Sequence, residues 1–269
     1  MTIRHGNTNN DGGGIEIQSE SNVTIRNCKI SRNNADNGGG IMADDDAEIS
    51  IIDSEIAGNT AINVGGGIYI DFAYNLAINS SEISGNTSGG KGAGIYSNIS
   101  DVTVSSSEIC GNTASNSGGG IYAYKGTIGI SSSEISGNTV NGVGNDGGGI
   151  YAEHASCNFT VSNSVITGNT ADDGGGFAAN GSVAALNYVT LSENTANDDG
   201  GGGVAFNGAA VTLTEPTLGW NTAANIGDNF YTYSGGAISL NSGSNLTVIG
   251  DVPLSDYTNF FKSSGQSPK

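Results

Sequence analysis

A glycine-ended hydrophobic motif, most often Gly-Gly-Gly-Ile, returns along this chain about every 27 residues and is followed about sixteen residues later by Ser-Glu-Ile-Ser-Gly-Asn-Thr or a close variant. It occupies 12–15, 38–41, 65–68, 92–95, 118–121, 147–150, 174–177, 201–204 and 235–238, in steps of 26, 27, 27, 26, 29, 27, 27 and 34 residues. A period of this length marks a solenoid, in which no repeat can bury its own apolar face and each is covered by its neighbour. That constrains the architecture tightly and the chemistry very little, because a solenoid is a scaffold on which sites are placed.

One repeat, residues 92–117, contains three short alternating stretches: Ile95-Tyr96-Ser97, Val102-Thr103-Val104 and Glu108-Ile109-Cys110. Each is bounded by Gly, Asn, Ser or Asp, and no run of helical period exists. The prediction is an all-β, single-stranded parallel β-helix of about nine coils of about 27 residues, with three short strands per coil, over residues 1–250. The 45 glycines allow tight corners, and only 3 prolines interrupt the ladders. Side-chain alternation predicts inward columns: Ile15, Ile41, Ile68, Ile95, Ile121, Ile150, Phe177, Val204 and Ile238 on the first strand, and Ile30, Ile56, Ile83, Ile109, Ile135, Ile166, Leu191 and Leu218 on the third. Asn59, Asn86, Asn112, Asn138, Asn169, Asn194 and Asn221 recur at the corner after the third strand, where stacked amides can bond from coil to coil.

The paired motifs resemble the repeats of polymorphic outer membrane proteins and of adhesin-like right-handed β-helices of bacteria and archaea. Those repeats combine Gly-Gly-Ala-Ile with Phe-x-x-Asn. Here Gly235-Gly236-Ala237-Ile238 is literal, and Ile83-Ser84-Gly85-Asn86 and Ile135-Ser136-Gly137-Asn138 carry Ile in place of Phe. The resemblance spans residues 2–250 and implies extracellular surface display and adhesion to a cell-surface or glycan partner.

The ends differ from the middle. Ile3-Arg4-His5-Gly6-Asn7-Thr8 aligns with a third strand, so the chain starts mid-coil and reads as a fragment of a longer exported protein. Residues 205–234 read as an enlarged coil holding Trp220, Phe230, Tyr231 and Tyr233, and 251–269 as a C-terminal cap or linker. A net charge of −18 and a pI near 4.1 argue against nucleic acid or an anionic membrane as partner. No stretch is apolar enough to insert into a membrane. Lateral or end-to-end self-association is compatible with such a rod.

Four outward columns are candidate sites. Tyr69, Tyr96, Tyr122 and Tyr151 follow the inward Ile on four consecutive coils and should form an exposed aromatic row suited to sugar rings; with Trp220 they are the candidate ligand-binding residues. Glu55, Glu82, Glu108 and Glu134, with Lys29 one coil before, form a carboxylate column that reads as a solvated stripe. Asp146, Asp172, Asp173, Asp198 and Asp199 precede the glycines of consecutive coils and form a candidate Ca²⁺ corner; no other cofactor is expected. Thr24, Ser50, Thr103, Thr160 and Thr212, interspersed with Ala77, Gly129 and Ala185, form a flat face resembling that of ice-binding β-helices, the alternative function.

Many β-helices degrade acidic polysaccharides, so an enzyme is the remaining reading. The Asp44-Asp45-Asp46 run with Glu48 is the densest carboxylate cluster, but no nucleophile–base set accompanies it, and His5 and His154 are isolated. A site should break the regularity of the repeat. The break read from spacing alone, 201–234, is aromatic rather than ionisable, which favours binding over catalysis.

Overall fold

The computed structural model describes residues 1–249. The expected cap or linker at 251–269, and residue 250, lie outside the described residues. Within them every strand pairing is parallel and each coil stacks on the next. No helix there is long and apolar enough to cross a membrane. The chain is an all-β parallel β-solenoid.

First strands such as Ile68–Asp71 and Ile95–Asn98, and second strands such as Asn75–Asn79 and Asp101–Ser105, lie in one 16-stranded sheet. It is joined where Ile121–Ser131 and Ile150–Ser162 run through both positions without a break. Third strands such as Glu82–Ser84 and Glu108–Cys110 form a ten-stranded sheet. A fourth, two-residue strand per coil, Thr60–Ala61 and Thr87–Ser88 among them, adds an eight-stranded sheet that the alternation pattern was too short to reveal.

Register places like on like: Ile68 on Ile95, Leu76 on Val102, Ile83 on Ile109. All six are fully buried, and each such side chain contributes about 1.5–3 kcal/mol. The predicted asparagine column is continuous. Asn112 Nδ2 donates to Asn138 Oδ1 at 2.9 Å and to the Ile83 carbonyl at 3.0 Å, while its Oδ1 accepts from the backbone N and from Nδ2 of Asn86, both at 3.0 Å. The same pattern begins one coil earlier than predicted, with Asn33 donating to Asn59 at 2.9 Å.

A second buried ladder lies at the opposite corner. Each of Ser54, Ser81, Ser107 and Ser133 donates its backbone N–H to the hydroxyl oxygen of the serine one coil on, ending at Ser164, over 3.0–3.1 Å. Each hydroxyl in turn donates to the carbonyl two residues back in its own chain, as Ser107 does to Ser105 at 2.7 Å. The corner thereby satisfies backbone groups that no strand partner reaches.

Two positions of the first-strand core differ from expectation. Val204 pairs with Ala178 and Ile238 with Val211, so neither continues the Ile15–Phe177 column. The inward residues there are Gly203 and Phe230. Phe177 fills the space: its ring lies 6.0 Å from that of Phe159 and 6.2 Å from that of Phe230, and a Cβ on Gly203 would fall 2.2 Å from it. Gly203→Ala is therefore expected to cost about 2 kcal/mol in urea unfolding, although alanine suits a strand better than glycine. The coil start is Gly227, which keeps the 27-residue step from Gly200, and Gly235-Gly236-Ala237-Ile238 opens a second strand instead. The enlarged coil expected at 201–234 does not exist; the motif at 201–204 is one residue out of phase, and the literal motif at 235–238 does not open a coil.

The irregular coil lies elsewhere. Between Gly118 and Gly147 the corner 141–146 is longer than its neighbours, and between Tyr124 and Cys157 the register shifts as residues 153–157 take the turn that Tyr124–Gly126 take one coil earlier. His154 sits there at φ 93°. Both insertions flank the same outward face of the first strand.

Candidate functional site

The second residue of each first strand points away from the main core. In register these residues are Glu16, Met42, Tyr69, Tyr96, Tyr122, Tyr151, Ala178, Val204 and Tyr231. The column ending each first strand, with Asp71, Asn98, Tyr124, Glu153, Asn180 and Phe206, rises on one side. The column before the coil glycines, with Val64, Lys91, Ser117, Asp146, Asp173 and Asp199, rises on the other. A trench with a tyrosine floor results.

The predicted tyrosine row is real as a stack: centroids of Tyr69, Tyr96, Tyr122 and Tyr151 are 5.3, 5.0 and 5.6 Å apart, with planes within 18°. Its expected exposure is not. Tyr122 and Tyr151 are 3% and 6% exposed and belong to a second apolar cluster with Ala178, Val204 and Phe206. The reason is the irregular coil and its neighbours. Lys91 Nζ lies 4.3 Å from the Tyr122 ring centroid and donates to its hydroxyl at 2.8 Å, Tyr122 donates to Glu153 Oε2 at 2.5 Å, and Asn180 donates to the Tyr151 hydroxyl at 2.9 Å. Lys91 also pairs with Glu153 at 3.4 Å. Of the four stacked tyrosines, Tyr69 and Tyr96 stay half open. There Tyr69 donates to Asp71 Oδ2 at 3.1 Å, and Asn98 to Asp71 Oδ1 at 2.6 Å. Burial, then the neighbouring Asp71 charge, pushes the hydroxyls of Tyr69 and Tyr96 upward, with Glu153 adding to the shift of Tyr96; for Tyr122, burial and its bond to Glu153 do so. All remain neutral donors at physiological pH.

The acidic corner is partly assembled. Carboxylate oxygens of Asp173, Asp198 and Asp199 lie within 4.8 Å of one another, the one such three-residue group among the described residues. Much of their bonding capacity is structural: Asp173 accepts from the Asp199 backbone at 2.9 Å, Asp199 from Ile226 at 3.0 Å, and Asp198 from the Asn225 amide at 3.1 Å. Asp172 instead accepts from the backbone of Gly144. Asp146 stands one coil away, bridged to Asp173 through the backbone, and desolvation followed by the charges of Asp173 and Asp172 raises its carboxyl to about 7. Carboxylates with no ion pair among the described residues are suitable oxygen donors for Ca²⁺, and Asp173, Asp198 and Asp199 would hold it.

Trp220 is not part of the trench. It is 58% exposed at the corner after the third strand, at φ 51°, in the column where Gly58, Gly85, Gly111 and Gly137 take the same left-handed conformation. Tyr231 and Tyr233, its expected companions, lie in the trench, with Tyr233 stacked on Phe206 at 4.9 Å.

Thr24, Ser50, Ala77, Thr103, Gly129, Thr160, Ala185 and Thr212 form one unbroken row on the second strands. The alternation of hydroxyls with bare Ala and Gly leaves no continuous hydroxyl lattice. Glu55, Glu82, Glu108 and Glu134 also stack in register, with Lys29 bonded to Glu55. They line an open groove of about 1200 Å³ with Ser54, Ser81, Ser107 and Ser133. Sequence reasoning missed the joint role of Lys91 and Glu153. They are 62 residues apart, and no local spacing links them.

These features define a parallel β-helix repeat protein whose irregular coil shapes a tyrosine-floored trench. Residues 2–129 match the family model described as "Right handed beta helix region". No curated protein and no solved structure matches the chain.

Proposed function

We propose that the chain is an extracellular, non-catalytic β-helix of adhesin type that holds a glycan against Tyr69 and Tyr96. The observation that carries this reading is the half-open end of the trench. Two rings stacked 5.3 Å apart offer a strip of apolar ring edges, while Asp71 and Asn98 beside them offer an acceptor and a donor. A sugar needs that combination, an apolar ring face to cover and hydroxyls to satisfy. The two half-open rings span one coil step of about 4.8 Å, room for one or two sugar units.

One observation favours a second reading, glycoside hydrolysis. Asp146, raised to about 7, has the protonation of a general acid. The trench argues against it: beside Asp146 the floor is the buried pair Tyr122 and Tyr151, covered by Lys91, Glu153 and Asn180, with no open floor for a sugar. Tyr69 and Tyr96 and the perturbed acid lie at different places.

Tyr69→Ala and Tyr96→Ala are each expected to weaken glycan binding about tenfold, read by affinity electrophoresis in the bound polysaccharide, with the circular dichroism spectrum kept. Tyr122→Ala is not a clean probe, because it opens the second apolar cluster. Full affinity in the Tyr69→Ala/Tyr96→Ala double variant would rule out the trench as the site.

A further inference from the structure

We infer that the open end of the trench selects glycans carrying protonated amino groups, polymers of amino sugars, over neutral and acidic polysaccharides. This rests on the glycan reading above and deepens it.

The chain supplies its own example of what the trench holds. Lys91 places an ammonium group over the Tyr122 ring, against the Tyr122 hydroxyl and 3.4 Å from the Glu153 carboxylate. A cation over a tyrosine face is attracted by the ring quadrupole, and a carboxylate beside it adds a charge-assisted hydrogen bond. The covered part of the trench is therefore an occupied ammonium seat.

The open end has rings and a carboxylate without the cation, in a different register: Asp71 stands on the Tyr69 coil, whereas Glu153 stands one coil beyond Tyr122. Tyr69 and Tyr96 give the rings and Asp71 the carboxylate, close enough to raise both hydroxyls' proton affinity. Each Asp71 oxygen accepts one hydrogen bond within the chain, at 3.1 Å from Tyr69 and 2.6 Å from Asn98. A carboxylate oxygen has a second lone pair, so both remain able to accept another donor. Among the described residues Asp71 has no ion pair. The column that supplies Lys91 supplies Val64 one coil earlier and Asn37 two coils earlier, so that column brings no ammonium to this end, and Lys125 lies over the Tyr124 ring on the wall, 4.9 Å from its centroid.

The surrounding field points the same way. Asp44, Asp146 and Asp173 line the two walls, Lys91 is already neutralised by Glu153, and the chain carries a net charge of −18. A cleft lined by one sign of charge concentrates ligands of the opposite sign and repels its own. A uronic acid polymer would meet repulsion along the trench, while an amino-sugar polymer would be drawn in.

The test is calorimetric titration of the whole chain with glucosamine, N-acetylglucosamine and galacturonate oligomers of matched length. The expected result is at least about tenfold tighter binding of the glucosamine oligomer than of its N-acetylated form, shrinking with added salt, and no binding of galacturonate. Asp71→Asn should bring the ratio of the first two affinities close to one. Val64→Lys, which places a lysine one coil below Lys91 and so at Tyr96, should do the same by filling the seat from within. Equal affinity of the free-amine and N-acetylated oligomers for the native chain would overturn the charge selection and leave the glycan reading standing. A preference kept in both variants would overturn the assignment to Asp71. Tightest binding of galacturonate would overturn the electrostatic account, and binding of none of the three would overturn the glycan reading with it.

Discussion

Asn112→Ala is expected to destabilise the β-helix by about 4 kcal/mol, measured by urea unfolding. The side chain makes four hydrogen bonds at full burial: two donated, to Ile83 and Asn138, and two accepted from Asn86. Each contributes about 1 kcal/mol net, and alanine leaves the Asn86 backbone N–H and the Ile83 carbonyl buried without these partners. The methyl group restores none of them. Asn112→Asp should be worse near neutral pH. Its oxygens can still accept from Asn86, but the atom replacing Nδ2 would face the Ile83 carbonyl and Asn138 Oδ1, two acceptors, with a buried charge. Acid should partly rescue this variant, because the protonated carboxyl again donates once. A solvated asparagine would show a loss below about 0.5 kcal/mol and no such pH dependence.

The native chain itself is expected to gain stability as pH falls from about 8 to about 4, opposite to ordinary acid denaturation. Asp146 is the main cause, with its carboxyl raised from 3.8 to about 7 by desolvation and by the charges of Asp173 and Asp172. Asp44, Asp173 and Asp199 are raised in the same direction, each first by burial. A carboxyl whose folded pKa exceeds its unfolded value stabilises the fold fully below the unfolded pKa, and that stabilisation is lost as pH rises through the folded one. For Asp146 the window runs from about 4 to about 7 and is worth on the order of 3 kcal/mol. Asp146→Asn, which keeps the shape and removes the charge, should raise Tm near pH 8 and flatten most of the slope. If Ca²⁺ occupies the adjoining Asp173, Asp198 and Asp199, it will raise Tm near pH 8 and less near pH 5, where protons compete for the same oxygens. A native Tm that falls steadily below pH 6 would contradict the assignment of Asp146.

What the sequence revealed was what repetition enforces. Ile56, Ile83 and Ile109 stack on one another, and Asn59, Asn86 and Asn112 bond in a line, because every coil must present the same side chain at the same place. The serine ladder was equally available: Ser54, Ser81, Ser107, Ser133 and Ser164 each stand one residue before a third strand. They were lost among the many serines of the chain. Phase failed where glycine is common. Gly235-Gly236-Ala237-Ile238 copies the coil-opening phrase, yet it opens a second strand, while the true coil start offers a single glycine, Gly227, followed by Asp228 and Asn229. The burial of Tyr122 and Tyr151 was not legible either. It depends on Lys91 and Glu153 meeting across two coils and on two insertions whose effect appears only when the coils are stacked. The open Tyr69–Tyr96 end is therefore a feature of three-dimensional packing rather than of the repeat.

The most direct test of the account is to incubate the purified chain and its Tyr69→Ala/Tyr96→Ala variant with a panel of soluble and insoluble polysaccharides, scoring retained protein and released sugar together. The account predicts that the native chain is retained on at least one amino-sugar polymer without releasing product, and that the variant is not retained. Released sugar, or retention of the variant equal to that of the native chain, would contradict it.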